Sequence, residues 1–137
     1  MLTPKEIVFE RMLANDAFSQ WMGVEVLDVQ EGYAKIQMKV RPEMLNGYKI
    51  LHGGVSFSLA DSAFAFASNS RGKISFSIST SINHLEKVLL HDVLIAEATE
   101  EYFNAKLGKY KVTIHNQEKV LVAVFNGMVY RTSQDCV

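Results

Sequence analysis

Asp61 is the only formal charge between His52 and Arg71, in a stretch that is otherwise apolar or small. Desolvating a carboxylate costs several kcal/mol unless a partner offsets it, so an aspartate in such a place needs a reason. One reason is structural, a hydrogen bond to Ser58 or Ser62 or a salt bridge to a strand. The other is chemical, a carboxylate held in a partly dry cleft as a base or nucleophile. Eight residues upstream, His52-Gly53-Gly54 stands where the same segment begins. Glycine lets a ligand approach the backbone, and the free N–H groups of a helix start attract an anion or oxyanion. A tight turn that simply needs glycine would read the same way. Asp61 and Gly53 would lie about 12 Å apart along a helix. An oxyanion donor must come within roughly 3 Å of its oxygen, so one chain does not easily put both groups on one carbonyl. A two-fold dimer with antiparallel helices would bring Asp61 of one chain to Gly53 of the other.

The elements that must hold these residues follow from the pattern. Thr3-Pro4-Lys5-Glu6 has the form of a helix start, and the apolar spacing after it predicts one helix to about Trp21. Ala34, Ile36, Met38 and Val40 alternate with polar residues, which predicts a half-buried strand closed by Arg41-Pro42. Val55 to Ala67 is apolar or small almost all the way round, which predicts a buried helix from Gly53 to about Ser70. Beyond it, Phe76, Ile78, Thr80 and Ile82 alternate with serines, and three more β-patterned runs follow at 93–102, 109–115 and 119–130. The fold class is α+β, with an antiparallel sheet that must cover a helix.

Composition bounds the function. The chain has 137 residues, 48% apolar and 21% charged, with a net charge of −1, and one domain over 1–137 is expected. Its basic residues are scattered, which argues against a nucleic-acid surface. The opening Met1–Glu6 lacks the apolar run of a signal peptide, no stretch reads as a spanning helix, and Cys136 is the one cysteine. A reducing, cytoplasmic setting with no membrane is therefore expected. His84, His91 and His115 are dispersed, and neither H-E-x-x-H nor a cysteine pair occurs, so no metal site is expected. The absence of G-x-S-x-G removes a serine-hydrolase reading.

Taken together, Met44-Leu45-Asn46-Gly47, His52-Gly53-Gly54, Phe57 to Ala65 with its Leu-Ala-Asp, and Asn69-Ser70 resemble the PaaI family of hotdog-fold thioesterases. The likeness extends to Asn15-Asp16-Ala17 and to Asn116-Gln117. It implies a six-stranded antiparallel sheet wrapped around the long central helix, an additional N-terminal helix, and assembly as a homodimer or a dimer of dimers. It implies hydrolysis of an acyl-CoA thioester, phenylacetyl- or hydroxyphenylacetyl-CoA first, with no cofactor beyond the coenzyme A of the substrate. By position, Asp61 takes the catalytic carboxylate, Gly53 the backbone donor to the thioester carbonyl, and His52 and Asn46 the supporting polar places. Ser77 and Asn15 are lesser candidates for substrate contact, against readings as a solvated strand face and a helix cap. Where many relatives carry Arg-Pro, this chain has Leu85-Glu86-Lys87, which weakens any transfer of contacts to the CoA phosphates. Arg71, Lys73 and Lys87 qualify as phosphate partners on charge alone. The alternatives are a dehydratase using His52 and Asp61, disfavoured by the spacing, and a non-catalytic acyl-CoA binding or sensing module.

Overall fold

Thr3 opens the first helix as expected. Its hydroxyl accepts the Glu6 N–H at 3.1 Å while the Glu6 carboxylate accepts the Thr3 N–H at 3.1 Å, a reciprocal capping box. The computed structural model describes residues 1–137, and in it the single N-terminal helix of the sequence reading becomes two. A short α-turn, α1 (Pro4–Glu6), relaxes into a π-helical stretch Ile7–Met12 and a 3-10 turn Leu13–Asn15. The chain then restarts as α2 (Ala17–Met22). Asp16 causes the break: its backbone leaves the helical region (φ −101°, ψ 85°) and its side chain caps the new helix by accepting the Ser19 N–H at 3.0 Å. Aspartate competes for backbone donors in this way, and here the local cap overrides the apolar spacing.

β1 (Glu25–Gln30) and β2 (Tyr33–Lys39) form a hairpin across Glu31-Gly32, with Gly32 at φ +73°. The predicted alternation holds in β2, where Ala34, Ile36 and Met38 are buried. The long helix α3 (Gly53–Asn69) follows, then β3 (Lys73–His84), β4 (Val93–Phe103), β5 (Leu107–His115) and β6 (Leu121–Asp135). All six strands join one antiparallel sheet in the order β1-β2-β4-β5-β6-β3, which is the expected architecture. No helix is long and apolar enough to cross a membrane.

The sheet closes on α3 through Leu59, Ala60, Ala63, Phe64, Phe66 and Ala67, all buried. Phe64 packs against Phe125 and Tyr110 with ring centroids 5.4 and 5.8 Å apart. It can do so because residue 127 is glycine: a Cβ there would lie 2.7 Å from Phe64 Cζ. The small residues of α3 let the helix sit this close to the strands.

Two features depart from the sequence reading. α3 is not buried all round. Gly54, Phe57, Ser58, Asp61 and Ala65 recur at helical spacing and form a stripe that the sheet leaves partly uncovered. The alternation read in β3 does not bury its apolar residues. β3 is an edge strand, its register shifts between Ser77 and Ser79, and Phe76 and Ile78 are 60% and 57% exposed.

Candidate active site

The start of α3 is shaped by the residue before it. His52 is the N-cap, with extended backbone, and its Nδ1 accepts the Gly54 N–H at 2.9 Å. That bond makes Nδ1 an acceptor. The Gly53 N–H, by contrast, has no acceptor within the protein. It is a free donor at the positive end of a 17-residue helix. The His84 imidazole, from the end of β3, stands over Gly53, with Nε2 3.2 Å from where a Cβ would be.

Asn46 lines the same cleft as this donor. Its Oδ1 accepts the N–H groups of Tyr48 and Ile50 at 2.9 and 3.3 Å, which ties the loop before Leu51 into a tight turn. With the oxygen so engaged, the amide nitrogen remains to donate outward. Asn46, Gly53, Ser56, His84 and Lys87 line an open cleft of about 540 Å³ together with apolar Ile50, Leu51, Val88 and Val122. That volume lies within the roughly 300–1,000 Å³ usual for small-molecule sites.

Asp61 is not in this cleft. It lies two turns further along α3 on the uncovered stripe, the separation that the spacing predicts. Both structural explanations for it fail. The Ser58 hydroxyl donates to the Gly54 carbonyl at 2.8 Å, the Ser62 hydroxyl is 2.8 Å from Ser19 Oγ, and no cation pairs with the carboxylate. Burial pushes the Asp61 carboxyl above its ordinary range, and the nearby charge of Asp16 pushes it further. A half-buried carboxylate with no hydrogen bond to its charged form is a strong base for its kind.

The cleft therefore brings Asn46 and Gly53 together, with His52 behind them as the cap. Ser77 is exposed on β3 and makes no side-chain hydrogen bond. Asn15 is exposed at the end of the 3-10 turn and donates to the Arg11 carbonyl at 3.3 Å, which is a helix-end role. Arg71 is engaged elsewhere. Its Nε and Nη2 donate to the Glu100 carboxylate at 2.7 and 2.8 Å, and its guanidinium lies 3.9 Å from the Phe103 ring centroid. Burial alone would raise the Glu100 carboxyl, but this guanidinium and the Tyr110 hydroxyl hold it below its usual range. Lys73 pairs with Asp135 at 2.5 Å. Of the three cations suggested by charge, only Lys87 reaches the cleft. Sequence reasoning left His84 among dispersed histidines, because its place over Gly53 depends on the β3 register. Phe64 and Phe66 are core, and Phe57 packs edge-on against Phe125 with centroids 5.5 Å apart.

Comparison with known proteins bears on this arrangement. A match to the thioesterase superfamily covers residues 48–123, from just before His52-Gly53-Gly54 through α3 and into β6. The acyl-coenzyme A thioesterase PaaI of Escherichia coli K12 is 38% identical over 120 residues, 88% of this chain and 86% of that protein. The solved structure of the E. coli PaaI protein, from the phenylacetic acid degradation operon, superposes with a TM-score of 0.90 at 36% identity, covering 92% of this chain and 91% of that one. A Streptococcus mutans UA159 protein crystallised with acetyl CoA superposes with a TM-score of 0.79 at 26% identity, covering 82% and 90% of the two chains.

Proposed function

We propose a substrate and a mechanism from one premise: the chain belongs to the thioesterase superfamily, in its PaaI-type hotdog branch, and is a thioester hydrolase. The substrate we propose is an acyl-CoA, cleaved to the free acid and coenzyme A, with an aromatic acyl group such as phenylacetyl or hydroxyphenylacetyl first in line. The similar proteins named above support it, one being an acyl-CoA thioesterase and another having been crystallised with acetyl CoA.

The observation that carries the mechanism is the unpartnered, half-buried Asp61. Ionised, it takes a proton from water as that water attacks the thioester carbonyl, or attacks the carbon itself to give a mixed anhydride that water then opens. The Gly53 N–H receives the developing oxyanion, aided by the helix dipole, an effect worth roughly 10²–10³ in rate. Asn46 lines the same cleft as Gly53, and His52 holds the backbone of that turn in position. The coenzyme A thiolate leaves readily, so the proposed route uses no metal and no cofactor. We place the reaction in a cytoplasmic, reducing setting on the single thiol alone.

Because Asp61 and Gly53 lie about 12 Å apart on one helix, each site is proposed to draw on two protomers. The uncovered stripe of α3 carries Gly54, Ser58 and Ala65 around Asp61, small enough for two antiparallel helices to approach, while Phe57 on the same stripe packs against Phe125. The β3 edge, with Phe76 and Ile78 exposed, offers a second apolar surface for the same pairing or for a dimer of dimers.

The test is thiol release from phenylacetyl-CoA by the native chain and by Asp61→Asn. Loss of roughly 10²–10⁴ in turnover, with fold and assembly intact, is the expected result. Equal turnover by the variant would remove Asp61 from the mechanism. Binding without turnover on every acyl-CoA would instead support the binding module.

A further inference from the structure

A second carboxylate is fastened beside the Asp61 turn by a buried relay of two hydroxyls. Asp16 Oδ1 accepts the Ser19 N–H at 3.0 Å, and Oδ2 accepts the Ser19 hydroxyl at 2.6 Å. Ser19 Oγ lies 2.8 Å from Ser62 Oγ, and the two serines are 1% and 9% exposed. A hydroxyl has one proton. Ser19 gives its proton to Asp16, so the contact with Ser62 must be filled by the Ser62 proton. The relay therefore has a direction, from Ser62 through Ser19 to Asp16. It joins the N-terminal arm to α3 at the residue next to Asp61.

Capping α2 does not require a charge at position 16. Asparagine, serine or threonine would satisfy the same donor. What aspartate adds is negative charge, and little else around Asp61 supplies any. α2 carries no ionisable side chain, α3 none besides Asp61, and the π-helical stretch carries Glu10 and Arg11. Neither Glu10 nor Arg11 displaces the Asp61 carboxyl, whereas Asp16 does.

We propose that Asp16 is a positioning residue for the hydrolysis: the relay through Ser19 and Ser62 holds its charge against the Asp61 turn, and that charge tunes the reacting carboxylate. The inference rests on the reading of Asp61 as the base or nucleophile. Burial is the larger cause of the upward displacement of Asp61, and the like charge of Asp16 adds to it in the same direction. The gain is a stronger base, and the cost is that it is ionised only at higher pH.

The test is the pH profile of kcat/KM for thiol release from phenylacetyl-CoA, with thermal stability measured alongside. The native chain is compared with Asp16→Asn and Asp16→Ser, both of which keep a cap for α2 and remove the charge. The expected result is an acid limb moved to lower pH in both variants, with a lower plateau, since the base is weaker. A merely structural Asp16 would lower stability and activity without moving the limb. An acid limb unmoved, or moved to higher pH, in a variant that melts at the native temperature overturns the proposal. Asp61→Asn is run in parallel: full turnover by that variant would defeat the reading of Asp61 itself, whereas its inactivity with an unmoved Asp16→Asn limb defeats only the relay.

Discussion

Replacing Gly53 by alanine should separate folding from chemistry. Gly53 is the first residue of α3 and is not among the glycines at positive φ, so alanine fits its backbone. The three atoms nearest the new Cβ would all belong to the His84 imidazole, with Nε2 at 3.2 Å and the next at 3.5 Å. His84 is exposed, and its ring can turn aside. Alanine is the better helix residue by roughly 0.5–1 kcal/mol, so the net effect on stability should stay within about 1 kcal/mol. The catalytic effect should be much larger. The methyl group would enter the approach to the one free N–H at the helix start, where a carbonyl oxygen must come within roughly 3 Å. kcat/KM for thiol release should fall by roughly 10- to 1,000-fold, the upper figure being loss of a whole oxyanion donor. Steady-state kinetics and a thermal melt on the same preparation decide the matter. Native turnover with an unchanged melt would refute the assignment of the Gly53 N–H as the oxyanion donor. A Tm lowered by more than about 5 °C would refute the packing argument.

Gly127→Ala should do the reverse. Its Cβ would lie 2.7 Å from Phe64 and 2.9 Å from Phe125, both buried, so overpacking should lower Tm by on the order of 5–10 °C by calorimetry, and an unchanged Tm would show that the helix–sheet spacing is not fixed there. Asp61→Asn should raise Tm at neutral pH. The folded carboxyl is displaced upward, so its ionised form weakens the fold as pH rises through that displaced value, and the advantage of asparagine should vanish below the unfolded value of about 3.9. Melts across pH check it, and a lower Tm for the variant at neutral pH would mean that Asp61 has a stabilising partner.

The features most legible in the sequence were those set by neighbours along the chain. The capping box at Thr3, the alternation of β2 and the span of α3 each depend on residues a few positions apart. Asp61 stood out because a lone charge in an apolar helix is conspicuous whatever surrounds it. The features that were missed depend on distant contacts. The break before α2 comes from Asp16 turning back on its own backbone, and the relay it begins spans the 43 residues from Ser19 to Ser62. His84 reaches Gly53 only because β3 runs back along the start of α3. The exposure of Phe76 and Ile78 reflects the place of β3 at the sheet edge, a property of strand order and not of strand composition.

The distance between Gly53 and Asp61 along one helix has a genetic consequence. If each site takes its oxyanion donor from one protomer and its carboxylate from the other, Gly53→Ala and Asp61→Asn lie in different complementation groups of the same gene. Two impaired proteins, unfolded together and refolded at equal concentration, would yield mixed dimers in which one site inherits both lesions and the other inherits neither. Random pairing should restore roughly a quarter of the native sites. A site built within one protomer would restore none. A defect at one end of this helix can thus be masked by a second chain that is itself defective at the other end.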